Sequence, residues 1–280
     1  MRSHDFGQFL FNSSTFDEAQ LIKIIEAAEN TTPTLTAKAI FLRIVSLAEL
    51  TEYLDKSFAA AEDYVRKILL PHQLERIEKL DDGNSLDLLQ ALIESKIVTL
   101  AQLEKILQEY YKVEIPPVEN SFAAFYDSVR AVEKIDYPLA LSVAESLHDF
   151  LSDTFKSTII FIPSPDLGES EKFGASVKVD GMMPVVVAVM AERQVFHKMS
   201  NLYDDFVSDN LDDDFDAMSE MLNVFTGNFA VQFAAIVGVE EEPEPPRFGR
   251  VNETMQTLRV LTGFGTFYLY VGKQEIFTAV

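Results

Sequence analysis

DDDFDAMSEMLNVFTGNFAVQFAAIV, residues 212–237, is the most informative stretch of the 280-residue chain. Phe215, Met218, Leu222, Phe225, Phe229, Phe233 and Ile236 recur at intervals of 3, 4, 3, 4, 4 and 3. At about 100° per residue they form one narrow apolar stripe, which predicts a long amphipathic helix laid on a core. Asp212, Asp213, Asp214 and Asp216 crowd its first turn, where a carboxylate suits the positive end of the helix dipole. They read as a capped, solvated helix start, because the run lacks the glycine and closing glutamate of a calcium loop. Away from the stripe lies a second face of Asp216, Glu220, Asn223, Gly227, Ala230 and Ala234. Glu220 and Asn223, three apart, point the same way. The small residues beyond them leave room for another macromolecule to approach the backbone.

Around this helix the chain mixes helix and strand. Residues 123–132 predict a short helix, 138–155 a longer one and 195–207 another. Strands are expected at 157–162, 175–179, 184–191, 257–261, 266–271 and, last, 274–279. Asp180-Gly181 and Gly263-Phe264-Gly265 read as hairpin turns. The expected fold class is α+β: an antiparallel sheet packed with long helices, following an all-helical module.

That module occupies residues 1–117 and shows no strand pattern. One phrase recurs, at Phe16-Asp17-Glu18-Ala19-Gln20-Leu21, Val45-Ser46-Leu47-Ala48-Glu49-Leu50 and Val98-Thr99-Leu100-Ala101-Gln102-Leu103. Each copy places an N-cap residue three before Gln or Glu, a capping box. The apolar residue in front can staple onto the following Leu. A worn copy at Leu70-Pro71-His72-Gln73-Leu74 keeps Pro at the first helical position. The repetition predicts short helix pairs sharing one core. Pro116-Pro117 closes the module, so the expected domains are 1–117 and 118–280.

The chain has 23 Lys and Arg against 45 Asp and Glu, a net charge of −22. A field of that sign excludes nucleic acid and an anionic membrane as partners. Residues 1–117 carry 12 basic and 19 acidic residues, and residues 118–280 carry 11 and 26, so most of the acidity is in the second part. Without cysteine, disulfides, thiolate zinc sites and a thiol nucleophile are excluded. His4, His72, His148 and His197 show no metal-ligand spacing. No secretory signal opens the chain and no apolar run approaches the roughly 20 residues of a membrane span. The expected location is the cytoplasm.

Glu220-Met221-Leu222-Asn223-Val224-Phe225-Thr226-Gly227-Asn228 resembles the E-x-x-N-x-x-x-G-N signature of the CheC/CheX/FliY chemotaxis phosphatases. The resemblance covers residues 118–280, including the opening helix, the hairpin, the Pro-rich turn at 240–246 and the closing strands. CheC-type members carry the signature twice. Here Glu145 is followed by His148 at the Asn position, so the sequence is similar to the single-motif CheX branch.

The resemblance implies hydrolysis of the aspartyl phosphate of a CheY-like response regulator. Asn223 would orient the attacking water and Glu220 would engage the regulator's active-site Lys. Asp216 and Gly227 would join the docking face, with Asn228 on its edge and closer to a structural role. Magnesium would belong to the regulator, so no cofactor of the chain's own is expected. A homodimer through an exposed closing strand is a further expectation. The alternative is a non-catalytic adaptor or binding module, regulating motility or secretion through the helical domain. Residues 1–117 distantly resemble the N-terminal helical domains of type II secretion ATPases. Asp5 stands where their nucleotide-binding motif has Arg, so only a protein-interaction role is carried over.

Overall fold

In the computed structural model the chain divides into two compact units, Met1–Pro117 and Val118–Val280. The structure describes residues 6–80, 84–114, 117–123, 126, 137–164, 167, 170–181, 184–204, 210–237, 242–251 and 257–277, with the side chains of 232–237 and 242 outside the description.

The first unit is built from α1 (Phe6–Asn12), α2 (Glu18–Glu29), α3 (Leu35–Phe41), α4 (Leu47–Leu54), α5 (Phe58–Ile68), α6 (Pro71–Glu78), α7 (Asn84–Ser95) and α8 (Leu100–Tyr110). Reciprocal capping boxes start α2, α4 and α8. The Gln20 amide donates to Asp17 at 2.8 Å while the Asp17 amide donates to Gln20 at 3.0 Å. Ser46 with Glu49, and Thr99 with Gln102, repeat the exchange. The Ser46 amide and hydroxyl hold the Glu49 carboxyl below its usual value. At α6 only half the box survives: the Leu70 amide donates to Gln73 at 3.0 Å, and Pro71 supplies the first helical residue.

Three of the turns share a further device. Ser14, Arg43 and Lys96 adopt left-handed backbone at φ 52°, 57° and 52°, each three residues before a cap. After α3, Arg43 N–H bonds Ile40 O and Ile44 N–H bonds Ala39 O, both at 2.9 Å. That is the paired closure of a Schellman C-terminus, which satisfies the last helical carbonyls. The helix pairs do not follow one another in space. The main neighbour of α2 is α7, while α7 and α8 also pack on α3 and α4, and α5 packs on α3 and α4. The last pair in sequence therefore stands between the first and second.

The second unit contains α9 (Tyr137–Phe155), α10 (Arg193–Asp204) and α11 (Leu211–Val237), with helical residues also at 118–123. Its strands are β1 (Ile160–Ser164), β2 (Lys172–Asp180), β3 (Val185–Ala191), β4 (Glu242–Pro243), β5 (Arg247–Val251), β6 (Thr257–Thr262) and β7 (Gly265–Gly272). They form an antiparallel sheet in the order β1-β6-β7-β3-β2, with β4 and β5 both paired to β2. The fold is α+β.

Period-2 alternation explains the layering. Val185, Val187 and Val189 of β3 face a core shared with Leu147 and Leu151 of α9 and Phe196 of α10. Val186, Ala188 and Met190 face a smaller cluster with Leu167, Tyr270 and Phe277. Both faces of β3 are thus covered, which is why it reads as an unbroken apolar run.

Several expectations are corrected here. The opening helical turn already includes residues 117–123, because Pro117 starts a helix as readily as it ends one; most of 123–132 lies outside the described residues. β1 runs on through Pro163, which pairs with Leu258; Pro is tolerated there because β1 is an edge strand. Residues 274–277 are not a strand; Phe277 is instead buried on the smaller cluster. The true closing strand, β7, lies between β6 and β3, so it is not an exposed edge for a second copy. The Pro-rich region expected as a turn contributes β4 and leads into β5, strands that the sequence did not announce.

Candidate functional site

The stripe of α11 does what its spacing requires. Phe215, Met218, Leu222, Phe225 and Phe229 are all buried. Phe215 packs between Phe196 and Phe248, ring centroids 5.6 and 4.9 Å away, and Phe225 meets Phe150 at 5.5 Å. Burying each such ring contributes roughly 1.5–3 kcal/mol, which fixes the rotation of the helix. The side chains of Phe233, Ile236 and Ala234 lie outside the described residues.

With the stripe facing inward, Asp216, Glu220, Asn223 and Asn228 are exposed and Gly227 is half-exposed. Glu220 and Asn223 lie side by side on the outer face, not buried against their own domain. A Cβ added to Gly227 meets nothing within 4 Å. This glycine is therefore not required by packing among the described residues, although glycine in a helix interior costs about 1 kcal/mol relative to alanine. Asn228 also faces solvent, on the edge of the same face. Ala230 departs from expectation: it is buried, and the outer face continues through Val224 and Val231, the latter 72% exposed.

Tyr203 of α10 stands beside this face, and no motif or spacing pointed to it. Burial, then the charges of Glu220 and Asp204, push its phenol above its usual value, so it remains a neutral hydroxyl next to the carboxylate. Its neighbour Leu202 is exposed. The surroundings are acidic: Asp204, Asp212, Asp213, Asp216 and Glu220 are all exposed. A ligand for this face needs positive charge.

The aspartate run is not uniformly solvated. Asp214 is wholly buried, accepting from Arg193 and, at 2.9 Å, from His197 Nδ1. Asn201 closes the chain of contacts, 3.1 Å from His197 Nε2. Since a carboxylate only accepts, Nδ1 of His197 is the donor to Asp214. A signal for this existed. Asp214 lies one turn before Met218, on the apolar stripe itself, whereas Asp212 and Asp216 do not. Asn210 caps the helix, accepting from the Asp212 amide at 3.2 Å.

The place corresponding to a second signature is not a second site. His148 of α9 is buried, its Nε2 3.0 Å from Ile159 O and its ring edge-on to Phe161. Among the described residues no three His, Asp or Glu side chains are grouped to hold a metal ion, and no helix is long and apolar enough to cross a membrane.

No protein-family model and no curated protein sequence matches the chain. Solved structures do. A chemotaxis protein CheX from Desulfovibrio desulfuricans is 16% identical, with 49% of this chain and 99% of that one covered and a TM-score of 0.40. A CheC-like superfamily protein from Shewanella is 15% identical, covering 50% of this chain and all of the other at 0.40. The CheX-CheY-BeF3-Mg2+ complex from Borrelia burgdorferi supplies a chain that is 14% identical, covering 50% and 99% at 0.38. The resemblance of residues 1–117 to secretion ATPase domains gains no support from these structures.

Proposed function

We propose that residues 118–280 hydrolyse the aspartyl phosphate of a CheY-like response regulator and that residues 1–117 serve as an interaction module. The observation that carries this reading is the α11 face: Glu220 and Asn223 adjacent and exposed, with open space over Gly227 one turn further on. In-line attack of water on an acyl phosphate needs positioning and electrostatics rather than a protein nucleophile. The Asn223 carboxamide accepts a hydrogen bond from the water, turning the water's lone pair toward phosphorus, and adds no charge near the phosphoryl oxygens. Glu220 supplies a carboxylate for the regulator's lysine. The surrounding acids favour a cation-bearing partner and keep other anions away. The metal ion belongs to the regulator's pocket and no cofactor is assigned to this chain.

Phosphate release from a phosphorylated regulator, with and without the purified chain, tests the proposal. Acceleration is expected, and Asn223→Ala is expected to lower the rate by about 10²-fold, the scale of misplacing a reactant. An unchanged rate in Asn223→Ala overturns the catalytic reading. The exposed Val224 and Val231 favour a second reading, an adaptor that uses the same face only to bind. Binding that survives Asn223→Ala, without hydrolysis by either protein, would establish it.

A further inference from the structure

On the first unit the α3–α4 turn and the far half of α8 enclose a cleft of about 360 Å³, within the size range of small-molecule sites. Its apolar wall is Ile40, Val45 and Leu107. Its polar rim is Arg43, Glu104 and Lys112. Glu104 is occupied on both oxygens: Leu47 N–H donates at 2.8 Å and Gln108 donates at 3.2 Å. Neither Arg43 nor Lys112 has a carboxylate partner among the described residues. In a unit with 19 acidic residues against 12 basic ones, this rim carries two cations against the single carboxylate of Glu104, a local excess of positive charge.

Arg43 is also held in place. Its guanidinium lies 3.8 Å from the centre of the Tyr111 ring and donates to Tyr111 O at 3.3 Å. Tyr111 in turn is pinned by its hydroxyl, which donates to Phe41 O at 2.8 Å. An exposed arginine normally loses rotamer freedom when it binds something; here much of that ordering is already present, and among the described residues only Tyr111 O takes a hydrogen bond from the guanidinium. A neighbouring cleft on the other side of α8 has the same construction and lacks this feature. There Lys105 pairs with Glu109, and Gln20 and Gln102 are consumed by their capping boxes.

We propose that the α3–α4/α8 cleft binds a small organic anion. Arg43 and Lys112 take its carboxylate or phosphate-ester head, and Ile40, Val45 and Leu107 take a compact apolar body. The fork of Arg43 suits either head.

Calorimetry and amide chemical shifts on the full chain test this with benzoate and phenyl phosphate, against inorganic phosphate and benzyl alcohol. Saturable binding of one or both aromatic anions, with shifts at Val45 and Leu107, is expected, and the stronger of the two identifies the head group. Arg43→Gln is expected to weaken binding about ten-fold or more, as loss of a charge-assisted bond does. Arg43→Lys should fall between, Lys112→Gln should weaken it several-fold, and Lys105→Gln in the neighbouring cleft should leave it unchanged. Absence of binding by both aromatic anions overturns the proposal. So does equal affinity for inorganic phosphate, or an Arg43→Gln protein that loses stability and keeps its affinity. Lys112 is exposed, so its variant folds and keeps the test decisive.

Discussion

The carboxylate of Asp214, at the start of α11, accepts a 2.9 Å hydrogen bond from Nδ1 of His197 on α10 while itself excluded from water. With Arg193 on the same carboxylate, this contact ties together the two helices that frame the Glu220–Asn223 face. Asp214→Asn keeps the shape and removes the charge that Arg193 faces. The expected loss is about 2–3 kcal/mol, below the full cost of breaking a buried pair because Arg193 and His197 are partly exposed. Urea denaturation measures it, and an unchanged midpoint would mean that the pair contributes nothing to the fold.

Gly227 makes an opposite prediction. Since no atom of the described residues occupies the space of its missing Cβ, Gly227→Ala should raise stability by about 1 kcal/mol through helix propensity alone. Affinity for a phosphorylated regulator should fall if that space is filled on docking. Thermal melting and binding measured on one protein separate the two effects. A less stable variant would reveal packing at this position.

Gly174 of β2 is needed for space. A Cβ there would lie 2.5 Å from Val189 O and 3.1 Å from the ring of Phe277. Gly174→Ala is expected to cost about 2 kcal/mol, the usual scale of overpacking, since the neighbouring strand's backbone cannot move aside without loss of pairing. A denaturation midpoint equal to that of the parent protein would contradict it.

Tyr111 gives the first unit a pH dependence at the alkaline end. Burial pushes its phenol from 10.0 up to about 12, so between those values the folded chain holds a proton that the unfolded chain has released. Its contribution is complete below pH 10 and is lost as pH rises through about 12. Stability measured across that window should decline more steeply in the parent than in Tyr111→Phe, which has no proton to lose. Parallel slopes would show that the phenol is not protected.

The sequence made α11 legible because seven aromatic and aliphatic positions fall on one line, and side chains of that size let burial dominate. The capping boxes were equally plain, since Asp17, Ser46 and Thr99 act within four residues and need no tertiary partner. What was hidden depends on distant contacts. β5 alternates weakly because it lies toward the sheet margin and is mostly half-buried. Tyr203 joins the candidate site only through the packing of α10 on α11. Residues 274–277 have the composition of a strand, but Phe277 finds its burial across the sheet, over Gly174 and Gly249.

The arrangement of the helical unit bears on how it is made. The pair formed by α7 and α8 is translated last, yet α2 relies on α7 as its main neighbour. Until residue 84 and beyond emerge, Leu21, Ile24 and Ile25 lack the surface that buries them in the finished unit. The pair acts as a keystone: the core shared by the earlier helices is complete only when it is in place.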